Sequence, residues 1–160
     1  MNEAQIQAWL DQEDRHTSIL IRKYGWALQH VCGGPDDIPS AFAYTIGLFG
    51  FGHPELVVLG LPTAMAGSLL NHLGDRVRGG NDLVPGELLS FPAWPHRVIV
   101  EELPNPGDVV LAANRHYGHP PFASVPAYQL TYDDEQGRFP WEDEYAGSPN
   151  AQPRPGRWSA

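Results

Sequence analysis

The stretch "FAYTIGLFGFGHPELVVLGLP", residues 42–62, decides the fold. Its first part belongs to a run, "AFAYTIGL" at 41–48, in which Phe42, Tyr44 and Ile46 share one side and Ala43, Thr45 and Gly47 the other. That alternation predicts a strand. "FGFGHP", 49–54, is dense in turn residues, and "ELVVLGL", 55–61, is a continuous apolar run suited to a strand buried on both faces. Two strands joined by a short glycine-rich turn pair antiparallel.

Working outward, the flanks add helices. Residues 2–23 place Ile6, Trp9, Leu10 and Glu13, then Ile19, Leu20 and Lys23, at helical spacing, with Gly25 as the stop. "WALQHV", 26–31, reads as a strand, and "GGPDDIPS", 33–40, as a loop. "TAMAGSLLNHLGDRVR", 63–78, repeats Met65, Leu69, Leu73 and Val77 at four, which predicts a helix ended by "GGND". Prolines break the segment after it into a weak strand at 86–91 and a firmer one at 97–103.

"NPGDVVLAANRHYG", 105–118, predicts a short helix with Asn105 as N-cap, Pro106 at the first position and Asp108 in the first turn. A strand follows at 127–133, a "DEQG" turn, and a short returning strand at 138–142. From 146 the composition is that of a flexible C-terminal tail. The expected architecture is an α+β domain over 1–145, mainly antiparallel sheet packed with about three helices, with residues 146–160 as the tail.

Bulk composition narrows the function classes. A net charge of −9 opposes phosphate backbones and anionic lipid, so nucleic-acid binding is not expected. No apolar run reaches the length of a membrane span. The lone cysteine, Cys32, forms neither an internal disulfide nor a cysteine zinc site, and with no signal-like leader it reads as a cytoplasmic chain. The chain lacks a dinucleotide glycine fingerprint, a phosphate loop, a His-Glu-x-x-His helix and a Gly-x-Ser-x-Gly elbow.

Three sets of residues remain as candidates. His53 and Glu55 flank Pro54 on the 49–54 turn, a pattern suited to a general base and the carboxylate that orients it. Tyr44 and Thr45 would offer hydroxyls beside them, with Asn71, Gln129 and Trp141 completing a polar pocket for a small molecule. His116 and His119 stand three apart, a metal-ligand spacing if the helix continues through both. Each has an ordinary counterpart: a turn cap, a packing amide, a histidine at a helix C-terminus. The alternative to a pocket is an interaction module, an acidic surface for a basic partner or a homodimer sealed along a sheet edge.

The segments "YGWALQHV", "FAYTIGL", "GHPELVVLGL", "LLNHL", "HYG" and "YQLTYDDEQGRFPWE", in that order over residues 24–142, together resemble a bacterial family, domain of unknown function 4262. The resemblance implies a small, mostly cytosolic domain and points to Tyr44, Thr45, His53, Glu55, Asn71, Tyr117, Gln129 and Asp133 as pattern positions. It brings no substrate, cofactor or catalytic list. Where the family reads closer to "alQLvwpD", this chain has "AYQLTYDD", with Tyr132 at an aromatic position and no proline.

Overall fold

The computed structural model describes residues 1–160 apart from positions 35, 37, 38 and 40, so the loop expected over 33–40 lies partly outside the described residues. Among the described residues three α-helices, α1 (Glu3–Tyr24), α2 (Thr63–Arg78) and α3 (Leu111–Tyr117), accompany six strands. These are β1 (Ala27–Cys32), β2 (Ala41–Ile46), β3 (Glu55–Leu59), β4 (Leu88–Phe91), β5 (Trp94–Glu102) and β6 (Ala127–Tyr132). They form one sheet in the order β1-β2-β3-β6-β5-β4. Every pairing is antiparallel except the central one, where β3 runs parallel to β6 with Val57 opposite Gln129. The α+β class and the mainly antiparallel sheet therefore hold, with a parallel seam at the middle that local turns do not announce.

Alternation along the strands divides the core in two. On one face Ala43, Leu56, Val58, Val98, Val100 and Leu130 pack with Leu69, Leu70, Leu73 and Val77 of α2. On the other, Phe42, Tyr44, Val57 and Leu59 pack with Val110, Ala112 and Ala113 around α3, and with Trp158. β3, at the centre, is buried on both faces, as its unbroken apolar run requires.

The caps are local. Asn2 and Gln5 form a reciprocal capping box on α1, and Gly25 closes that helix in the left-handed conformation. α1 lies along the edge and buries none of its residues fully, so Ile6 and Trp9 stay exposed.

Three expectations need correction. The helix expected over 105–118 is a 3-10 turn at Pro106–Asp108 followed by α3 from Leu111, because Val109 and Val110 leave helical dihedrals. Asn105 does not cap it; its Nδ2 donates to the Trp158 carbonyl at 2.8 Å. No strand forms at 138–142, where the Asp134 carboxylate gathers the amides of Gln136, Arg138 and Ala146 into turns. The segment after 146 does not behave as its composition suggests. Gln152 exchanges bonds with both backbone groups of Tyr132, and Trp158 is 5% exposed against Phe42.

Candidate functional site

The turn between β2 and β3 is built around a buried carboxylate. Glu55 is fully buried, and its two oxygens accept from the Gly47 amide at 3.1 and 3.0 Å and from the Phe49 amide at 3.1 Å. Those donors open the 3-10 turn Leu48–Phe51, so Glu55 supplies the acceptor that its first amides require. Burial pushes the carboxyl up to about 8, opposed by the amides of Gly47, Phe49 and Leu48 and by the Thr45 hydroxyl. Gly47 sits at φ 132°, and a Cβ there would stand 2.7 Å from the Gly25 carbonyl. Only glycine brings the amide to both carboxylate oxygens.

His53 is 2% exposed and bonds to backbone groups of Pro54 and Leu83 rather than to Glu55. Its Nε2 accepts the Leu83 amide at 3.1 Å, which leaves the proton on Nδ1 to donate to the Pro54 carbonyl at 2.7 Å. With both nitrogens engaged by backbone, the ring has no lone pair for a substrate. His53 ties the turn to the loop after α2, and Glu55 braces the turn rather than the histidine.

The hydroxyls are also committed. Tyr44 accepts the Ala112 amide at 3.0 Å, at the start of α3, and Tyr117 accepts the Gly50 amide at 3.1 Å. Burial pushes both phenols up to about 12. Thr45 accepts the Leu56 amide at 2.9 Å.

The remaining residues are dispersed. Gln129 is buried between the Pro153 carbonyl and the Trp158 indole, at 2.8 and 2.9 Å. Asn71 accepts the Trp26 indole at 3.0 Å. Trp141 stacks on Phe139 at 4.9 Å beneath the Arg154 guanidinium, half-exposed and without a bond to any of the others. His116 packs on Tyr117 while His119 turns to the Ala123 carbonyl, because the helix ends at Gly118 between them. Among the described residues no three His, Cys, Asp or Glu side chains are grouped to hold a metal ion.

Two features went unnoticed in the sequence. The first is an open cleft of about 440 Å³ between α2 and the β4–β5 hairpin, walled by Met65, Leu69, Phe91, Pro92 and Trp94. Ser68 and His72, one helical turn apart, are its polar groups. The i, i+4 spacing of Ser68 and His72 was readable, but the prolines of "FPAWPH" obscured the hairpin that forms the opposite wall. The second is the partner of Asp133, a residue the family resemblance marked: almost fully buried, it accepts from both the backbone amide and Nε of Arg97 at 2.7 Å.

No curated protein and no solved structure matches the chain. The model of the family described as domain of unknown function (DUF4262) matches residues 20–146. That span takes in every strand, α2 and α3, and with it both the carboxylate-braced turn and the cleft: the chain belongs to the DUF4262 family.

Proposed function

We propose that this domain binds a neutral small molecule with a ring-sized apolar body in the cleft between α2 and the β4–β5 hairpin. The observation that carries this reading is the cleft's construction: about 440 Å³, concave, with aromatic and aliphatic walls and two polar groups. That is the size and lining of a small-molecule site. No charged side chain lines it, which disfavours ionic ligands. His72 makes an edge contact with Phe91 at 5.5 Å and no hydrogen bond among the described residues, so its ring nitrogens are available to orient a ligand. In the 44–55 turn, where the sequence pointed, the polar side chains are bonded to backbone groups. A reducing compartment such as the cytoplasm suits the exposed free thiol of Cys32. Among the described residues no helix is long and apolar enough to cross a membrane.

The test is a titration with the neutral fluorophore N-phenyl-1-naphthylamine, read by its emission and by quenching of Trp94. Saturable one-to-one binding is expected, weakened about ten-fold or more by Trp94→Ala and blocked by Met65→Trp, with thermal melts confirming that both variants fold. Absence of saturable binding, or equal binding by Met65→Trp, sinks the reading. Concentration-dependent dimerisation that Met65→Trp abolishes would replace it with the interaction-module alternative, a second copy covering the cleft.

A further inference from the structure

A second histidine, His96 on β5, differs from His53 in one decisive respect. Its Nδ1 lies 2.5 Å from the Asp133 carbonyl oxygen and 3.9 Å from that residue's Oδ1. Both are hydrogen-bond acceptors, so Nδ1 carries the proton and Nε2 presents a lone pair. No hydrogen bond engages Nε2 among the described residues. The ring is also held in place: it packs against Trp94 at 4.8 Å and edge-on against Tyr132 at 5.8 Å. Asp133 in turn is fixed by two bonds from Arg97, whose Nη2 donates onward to the Gly137 carbonyl at 2.7 Å. Tautomer and orientation are thus set by a chain of bonds behind the ring, the support that a recognition histidine needs.

The lone pair has somewhere to act. His96 lines a cleft of about 300 Å³ with Tyr132, Glu135, Gln136, Tyr145 and Ser148. The charge in this cleft excludes anions. Arg97 and Arg138 are turned into the 133–144 turns by their bonds to Asp133, Gly137 and Glu144, while Asp134 is spent on turn amides. Glu135 alone is left without such a partner among the described residues. Tyrosine faces beside an acceptor nitrogen and a carboxylate match a group that donates N–H bonds and carries positive charge.

We propose that this cleft is a binding site for a small primary amine, taken as its alkylammonium ion, with His96 Nε2 accepting an N–H bond, Glu135 balancing the charge and Tyr132 and Tyr145 flanking it. The site is independent of the apolar cleft. Trp94 walls the apolar cleft and packs on the His96 ring, but the two clefts share no lining residue, and Met65→Trp should leave amine binding intact.

The experiment pairs butylammonium with tetramethylammonium, which carries the same charge and no N–H. Long-range proton–nitrogen NMR of the histidine rings is followed during each titration of the full chain at pH 8. The expected result is an unprotonated Nε2 on His96 that shifts saturably with butylammonium. Affinity for butylammonium falls about ten-fold in His96→Phe, which keeps the ring packing, while affinity for tetramethylammonium is unchanged by that substitution. The Glu135→Gln variant, at an exposed turn position, weakens both cations without affecting the fold. A proton on Nε2, the absence of a saturable shift, or butylammonium binding equally well to His96→Phe would each overturn the proposal. So would tetramethylammonium shifting Nε2 as butylammonium does, since aromatic faces would then account for all the binding.

Discussion

The indole Nε1 of Trp158 donates to the side-chain oxygen of Gln129 at 2.9 Å, joining a residue near the chain's C-terminus to the buried middle of the central strand β6. Gln129 is fully enclosed, and among the described residues its amide nitrogen is satisfied only by the Pro153 carbonyl of the same segment. Removing the segment therefore strands both halves of a buried amide. It also uncovers Phe42, whose ring meets Trp158 edge-on at 5.0 Å. Trp158→Ala should lower unfolding free energy by about 3–5 kcal/mol, the usual range for deleting a buried aromatic. Deletion of 146–160 should cost more. Urea melts check this, and a truncated chain as stable as the full one would mean the segment packs without contributing.

Glu55 gives the protein a signed pH dependence. Its folded carboxyl, pushed up to about 8 by burial, holds a proton that an unfolded chain releases near 4.5. Between those values the native state binds more protons than the unfolded state. Stability from this group is therefore full below about 4.5 and declines as pH rises through 8, at about 1.4 kcal/mol per unit. Glu55→Gln should flatten the slope between pH 5 and 8 in melts at fixed ionic strength. An unchanged slope in the variant would assign the dependence to other groups.

His53→Ala is expected to act on the fold and not on a ligand. It leaves the buried Leu83 amide without its acceptor and opens a void beside Tyr128. The loss should be about 2–4 kcal/mol, combining an unsatisfied donor with a cavity. Hydrogen exchange at Leu83 should accelerate more than at the centre of β3. Binding in the apolar cleft, measured where the variant is still folded, should remain within about two-fold of the natural chain.

Gly47→Ala tests the carboxylate-braced turn from the backbone side. The methyl would meet the Gly25 carbonyl at 2.7 Å and the Trp26 Cα at 2.8 Å, in a left-handed conformation. A cost above about 2 kcal/mol is expected. The turn must move to relieve the clash, so the Gly47 and Phe49 amide resonances should lose their sensitivity to Glu55 ionisation. Full stability and an intact titration response would contradict the geometry described.

What the sequence disclosed followed the range of its signals. α2 and β3 were legible because their patterns are local: a four-residue repeat of Met65, Leu69, Leu73 and Val77, and an unbroken apolar run. Asn105 misled because its side chain turns to the tail, where Nδ2 donates to the Trp158 carbonyl, and its Oδ1, the atom that would cap, is buried without a backbone amide. The parallel seam was invisible because β3 finds β6 some seventy residues later with no turn to mark it. His53 and Glu55 stood out as polar groups in an apolar neighbourhood. Their roles were not legible, since a base and a backbone tie use the same side chain, and the Leu83 amide that decides between them lies 30 residues away. The clefts come from the meeting of α2 with one hairpin, and of β5 with the 133–148 turns, which no window of sequence contains.

The parallel seam also sets an order of assembly. β1, β2 and β3 zip through neighbours in sequence, and β4 and β5 do the same. Joining the two sub-sheets requires β6, which must insert between β3 and β5 and closes a loop of about seventy residues on the β3 side. Loop closure of that size slows a folding step relative to local pairing. Until β6 is seated, β3 offers a bare strand edge, apolar from Leu56 to Leu59, the kind that recruits strands from other chains. During synthesis that edge stays open until residue 132 has left the ribosome, and Gln129 stays unsealed until residue 158 follows. The interval between the emergence of β3 and that of residue 132 is when this chain is most exposed to misassembly, and when a chaperone would have most to gain by holding it.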